Sequence, residues 1–125
     1  MNDQTSQREL VHVVSWRVNG GSVGQRHQQA QVVVAAVEAM RYQIPGLVGL
    51  AVGVNEIEHA DAWDVGAVMV FRSLADLHAY QEHPAHQSLK TIVGPLRAAR
   101  SQLDFFVPAS SALCRCDRCD RCDGI

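Results

Sequence analysis

The sequence predicts a small α+β domain with the element order β-α-β-β-α-β. Three observations carry this expectation. Four stretches have the composition or the period-two alternation of strands, and between them lie segments with apolar residues at helical spacing. Glycine, proline and polar turn residues stand where one pattern gives way to the next. The chain is 125 residues long, 47% hydrophobic and 19% charged, which suits one domain around one core rather than a disordered chain.

The first strand is read over Leu10 to Val18. Leu10, His12, Val14, Trp16 and Val18 point to one face, and Val11, Val13, Ser15 and Arg17 to the other. Asn19-Gly20-Gly21 breaks it, and Ser22 with Gln25 forms a capping-box signature for a helix start. The helix presents Val33, Val37, Met40 and Ile44 as one apolar stripe, and Pro45-Gly46 ends it. Leu47 to Val54 is the second strand, with Gly49, Ala51 and Gly53 alternating with larger aliphatic residues. After a polar loop from Asn55 to Asp61, Trp63 to Phe71 forms the third strand, with Trp63, Val65, Ala67, Met69 and Phe71 on one face.

Ser73 is the N-cap expected for the next helix, in which Leu74, Leu77 and Tyr80 recur at every third position. His83-Pro84 interrupts it. A further helical segment carries Leu89, Ile92 and Val93, with Gly94-Pro95 as a joint, and Leu103 to Val107 is the last strand. This order is the ferredoxin-like split βαβ arrangement with an antiparallel sheet. Helices cover one face of such a sheet. Val11, Val13, Val68 and Val70 make the other too apolar for water, so a second copy packed face to face, giving a dimeric α+β barrel, is expected to cover it.

Charge and composition narrow the function. A formal net charge of −2 and scattered basic residues leave no field or stripe for nucleic acid. The first nine residues are polar rather than signal-like, and no apolar run approaches the ~20 residues that span a bilayer, so a cytoplasmic protein without membrane contact is expected. The domain is read over 9–108, between a polar tail at 1–8 and a Cys-rich low-complexity tail at 109–125.

The runs Phe71-Arg72-Ser73 and Leu77-His78-Ala79-Tyr80-Gln81-Glu82-His83-Pro84-Ala85-His86 resemble the stress-responsive A/B barrel (Dabb) family. Val11-His12-Val13-Val14 and Asp104-Phe105-Phe106 match its first and last strands, and the resemblance covers roughly residues 9 to 108. It implies the same dimeric barrel. Members include a plant polyketide cyclase that closes a linear chain by intramolecular aldol condensation. Its histidine and tyrosine in the corresponding segment look like His86 and Tyr80, and its first-strand histidine looks like His12.

The resemblance therefore implies a cofactor-free cyclase or lyase acting on a small hydrophobic or polyketide-like ligand. His86 would be the base, Tyr80 a hydrogen-bond donor to the oxyanion, and His12 an orienting group. A neutral imidazole can take an acidic C–H proton at neutral pH, and a phenol can stabilise the enolate. Two other readings stand beside it: a ligand-binding or structural dimer without turnover, and a cofactor-independent monooxygenase. His12 in an apolar strand also fits a hydrogen-bonded core histidine, and His83 before Pro84 fits a helix cap. Trp16, on the same face as His12, would narrow any cavity. Glu56, Glu58, Asp61 and Asp64 read as solvated loop charge, and Arg26 and His27 as exposed residues of the first helix.

The four cysteines, Cys114, Cys116, Cys119 and Cys122, follow the spacing C-x-C-x-x-C-x-x-C within a repeated Arg-Cys-Asp unit. Thiolates in such steps suit Zn²⁺ or Cu⁺. Knuckles packed end to end lack the intervening loop that lets four sulfurs surround one ion, so the expectation is a repeat expansion with no specific metal.

Overall fold

The computed structural model describes residues 8–109. β1 (Arg8–Val18) is followed by α1 (Val23–Glu38), β2 (Leu47–Val54), β3 (Val65–Phe71), α2 (Leu74–Gln81), α3 (Pro84–Val93) and β4 (Arg97–Pro108), with a single 3₁₀ turn, Gly94–Leu96, before the last strand. The sheet is antiparallel in the order β2-β3-β1-β4, the ferredoxin-like arrangement, with β1 and β3 central.

The helices pack on the sheet face that carries Leu10, Val14, Trp16 and Val18 of β1. Their partners are Val33 and Val37 of α1, Leu77 and Tyr80 of α2, and Leu89 and Val93 of α3. From β3, Val65, Ala67, Met69 and Phe71 complete this core. Phe71 is fully buried, and truncating such a side chain to alanine costs about 3–5 kcal/mol. On the other face Val11 and Val70 form a smaller cluster with Val13, Val68 and Val107.

Local chemistry explains the boundaries. The Ser22 side chain accepts from the Gln25 backbone N–H at 3.1 Å, while the Gln25 amide oxygen accepts from Gly21 N–H, one residue earlier than in the standard reciprocal box. α1 stops at Glu38 rather than running to Ile44. The chain continues through i to i+3 bonds (Met40 N–H to Val37, Arg41 N–H to Glu38, Gln43 N–H to Met40), and this tighter winding still leaves Met40 and Ile44 buried. Gly46 then turns the chain with φ of 82°. A Cβ there would lie 2.3 Å from Asp76 Cγ, so both backbone sign and space demand glycine.

Other expectations shift for identifiable reasons. β3 starts at Val65, and Trp63 lies before it, stacked under Arg17 with the guanidinium 4.4 Å from the ring centroid. Leu74 is exposed although it shares a repeat of three with buried Leu77 and Tyr80. At 3.6 residues per turn each such step slips about 60° around the helix, so Leu74 ends roughly 120° from Tyr80. Ile92 is likewise exposed, beside buried Val93. β4 is the largest correction: it begins at Arg97, six residues before the expected Leu103. Among the described residues no helix is long and apolar enough to cross a membrane.

Candidate functional site

A cavity of about 220 Å³ lies between the helix-side face of the sheet and the α2–α3 corner. His12, Tyr80 and His86 all line it. Trp16, Met69 and Met40 also line it, so the large ring expected beside His12 narrows the space without filling it.

The α2–α3 corner follows from residue chemistry. α2 ends at Gln81, leaving its last carbonyls without helical partners. His83 caps the next helix, its Nδ1 accepting from Ala85 N–H at 2.9 Å, and Pro84 occupies the first turn, where no N–H is needed. That cap carries His86 back toward α2. Its ring meets the Tyr80 ring with centroids 4.6 Å apart at 64°, and Nδ1 lies 3.1 Å from the Gln81 carbonyl oxygen. A carbonyl can only accept, so Nδ1 carries the proton and Nε2 of the neutral ring keeps its lone pair. The same contact satisfies one of the orphan carbonyls of α2.

Tyr80 packs on Phe71 (centroids 5.3 Å apart) and approaches His12 (6.5 Å). Its hydroxyl has no hydrogen-bond partner among the described residues, and no buried side-chain polar atom among them is left unsatisfied. The hydroxyl is therefore open to a ligand in the cavity. Burial pushes the phenol up to about 12, against the opposing field of Arg100, which keeps it protonated at neutral pH.

His12 is 2% exposed and sits opposite Met69 on β3 and Asp104 on β4. Its Nδ1 lies 2.5 Å from Asp104 Oδ1, so the expected core histidine with a satisfied ring is present, and it also lines the cavity. Asp104 extends the chain of contacts. Its Oδ2 accepts from Gln102 Nε2 at 2.8 Å, and Gln102 Oε1 accepts from Arg100 Nη1 at 2.9 Å. Partial burial pushes the Asp104 carboxyl up, but hydrogen bonds from Gln102 and His12 prevail and hold it below the usual carboxylate range.

The His86 imidazole lies below its ordinary range. Burial is the main cause, resisted by the Gln81 carbonyl and reinforced by the charges of Lys90, Arg100 and His12. A neutral ring at pH 7 follows. The cavity thus holds a base with a free lone pair, a protonated phenol and a carboxylate-braced imidazole, a set suited to moving a proton next to a carbonyl.

Sequence reading named His12, Tyr80 and His86 but gave Asp104 no role, and it missed Lys90, Arg97 and Arg100, which also line the cavity. Arg100, Gln102 and Asp104 at every second position share one face of a strand. That alternation was the available signal. His83 acts as a cap, and Asp64 ties the hairpin loop to β1 by accepting from Val18 N–H at 2.8 Å. Arg26 donates to the Gly20 carbonyl, while His27 is exposed. Among the described residues no three His, Cys, Asp or Glu side chains gather to hold a metal, and Cys114, Cys116, Cys119 and Cys122 lie outside those residues.

Solved structures share this fold. A dimeric ferredoxin-like protein of unknown function from Thermobifida fusca is 25% identical, with a TM-score of 0.69 over 80% of this chain and 92% of its own. A hydroxynitrile lyase from Passiflora edulis is 15% identical, with a TM-score of 0.67 over 81% of this chain and 94% of its own. SnoaB, a cofactor-independent oxygenase from Streptomyces nogalater, is 18% identical, with a TM-score of 0.59 over 78% and 90%. No curated protein matches the sequence. The model of the stress responsive A/B barrel domain matches residues 10–107, the whole sheet with its helices, and the chain belongs to that family.

Proposed function

We propose that this protein is a cofactor-free acid–base catalyst of the lyase or cyclase class, acting on a small carbonyl compound. The observation that carries this reading is the pairing of His86 with Tyr80 in one cavity. The Gln81 carbonyl holds the His86 Nδ1 proton, so Nε2 is the basic nitrogen. Nε2 takes the proton from carbon next to a carbonyl, and the electron pair moves onto the carbonyl oxygen as an enolate. The Tyr80 hydroxyl donates to that oxygen. In an aldol closure the enolate carbon bonds to a second carbonyl of the same molecule, and the new alkoxide recovers the proton from His86. His12, braced by Asp104, positions the ligand from the sheet side.

The volume of about 220 Å³ falls below the ~300–1,000 Å³ of sites for drug-sized ligands, which favours a short substrate over a long-tailed polyketide. The hydroxynitrile lyase and the oxygenase bear on fold alone at their identities. The protein in this proposal is a homodimer with one site in each protomer. Several relatives are described as dimeric, and Leu103 and Phe105 on the open sheet face are 60% and 42% exposed.

The test is solvent deuterium exchange at the α-carbon of benzoylacetate and a β-keto thioester, with native protein and His86→Ala. Exchange above buffer that drops on the order of 10³-fold in the variant is expected for loss of a general base. Equal rates in the two folded proteins, or no exchange above buffer, would remove proton abstraction and leave binding without turnover.

A further inference from the structure

Three exposed cationic side chains rim the cavity without a carboxylate in salt-bridge contact. Lys90 comes from α3, one turn beyond His86, and Arg97 and Arg100 come from the start of β4. Among the described residues none of the three has a carboxylate oxygen within 4 Å, and the only side-chain partner of Arg100 is the neutral Gln102 amide. Of the other described arginines, all but the exposed Arg72 are committed. Arg41 pairs with Glu38 at 2.7 Å, Arg8 lies over Phe106, Arg17 over Trp63, and Arg26 donates to a backbone carbonyl.

The nearby acid answers this charge only in part, through its field on Arg100. Asp104 uses one oxygen on His12 and the other on Gln102. The cations also feel one another. Burial and then the charge of Arg97 weaken the hold of Arg100 on its proton, and Lys90 and Arg100 both disfavour a protonated His86. Like charges around the mouth of a concavity create a local field that an anion relieves. A planar guanidinium with free N–H groups matches a carboxylate in two-point geometry.

We infer that the ligand of this cavity is a small carboxylic acid, its carboxylate held by Arg100 with Arg97 and Lys90 and its reactive carbon presented to His86. This rests on the cavity being the substrate site proposed above, and adds the class of molecule it accepts. The anionic end anchors the ligand at the strand edge, and the uncharged remainder lies between Trp16, Met69 and Tyr80. Anion binding also removes repulsion from His86, so the imidazole of the complex becomes more basic than in the free protein.

The experiment compares benzoylacetate with its neutral methyl ester by calorimetric titration. Native protein is set beside Arg100→Gln and the double variant Arg97→Gln with Arg100→Gln. The His86 imidazole is followed by NMR in the same samples. The acid is expected to bind at least about tenfold more tightly than the ester, with that advantage lost in the double variant, as for loss of a charge-assisted hydrogen bond. The His86 titration midpoint should move upward with acid and stay in place with ester. Equal binding of acid and ester, an advantage that survives in the double variant, or no binding of either would overturn the inference. Deuterium exchange reports separately on the chemistry. Acid-selective binding without exchange removes the catalyst and keeps the anion site, whereas exchange on the ester that ignores Arg100 does the reverse.

Discussion

On the helix-side face of the sheet, alternate residues of β1 and β4 bring His12, Asp104, Gln102 and Arg100 next to a cavity roofed by Tyr80 and His86. On the opposite face the intervening residues of the same strands are Val11, Val13, Leu103 and Phe105. A shift of one residue along a strand thus separates titratable chemistry from apolar surface. The comparison teaches a division of labour. The covered face can keep polar groups in fixed hydrogen bonds within a sheltered space, while the open face offers mainly apolar area at its centre, which suits the second copy of the proposed homodimer.

The double variant Leu103→Lys with Phe105→Lys tests that division most severely. Burying two unpaired charges should weaken self-association on the order of 10³-fold by sedimentation equilibrium. Per-protomer deuterium exchange should stay within about threefold, because residues on separate faces without shared partners act nearly independently. A collapse of exchange with the dimer would show that the two faces work as one site.

Tyr80→Phe probes the covered face alone. The ring still packs on Phe71, so the fold should hold while α-proton exchange falls about 10²-fold through loss of one oxyanion donor. A loss below about twofold would assign Tyr80 to packing.

The smallest effect is the pH profile. Burial lowers the His86 pKa below its ordinary 6.5, and in the proposed mechanism the neutral ring is the base. kcat/KM for exchange should be level at pH 7, bend only below pH 6.5, and then drop about tenfold per unit as the ring protonates. A bend above pH 7 would contradict the sheltered, cation-flanked environment of His86.

Much of the fold was legible because burial leaves a periodic trace. The two faces of β1, the caps at Ser22 and Ser73, and β2 over Leu47–Val54 stand as read. β4 was half hidden. It is an edge strand, exposed along nearly its whole length, so Arg97 to Gln102 has no hydrophobic alternation to betray it. The same cause concealed Arg100 beside the cavity, and chain distance concealed the partner of Asp104. Their place depends on pairing with β1, a strand more than eighty residues earlier in the chain.

The sequence by itself determined the element order, the buried face of the central strands and of the first helix, and the presence of His12, Tyr80 and His86 in one family-like pattern. These follow from local periodicity and residue type, which neighbours along the chain decide. Tertiary structure alone decided which nitrogen of His86 stays basic, that Asp104 braces His12, and that Lys90, Arg97 and Arg100 rim their cavity. Each depends on a through-space distance between elements that meet only after the sheet has set its register, and hydrogen bonding and electrostatics act on distance rather than on chain order.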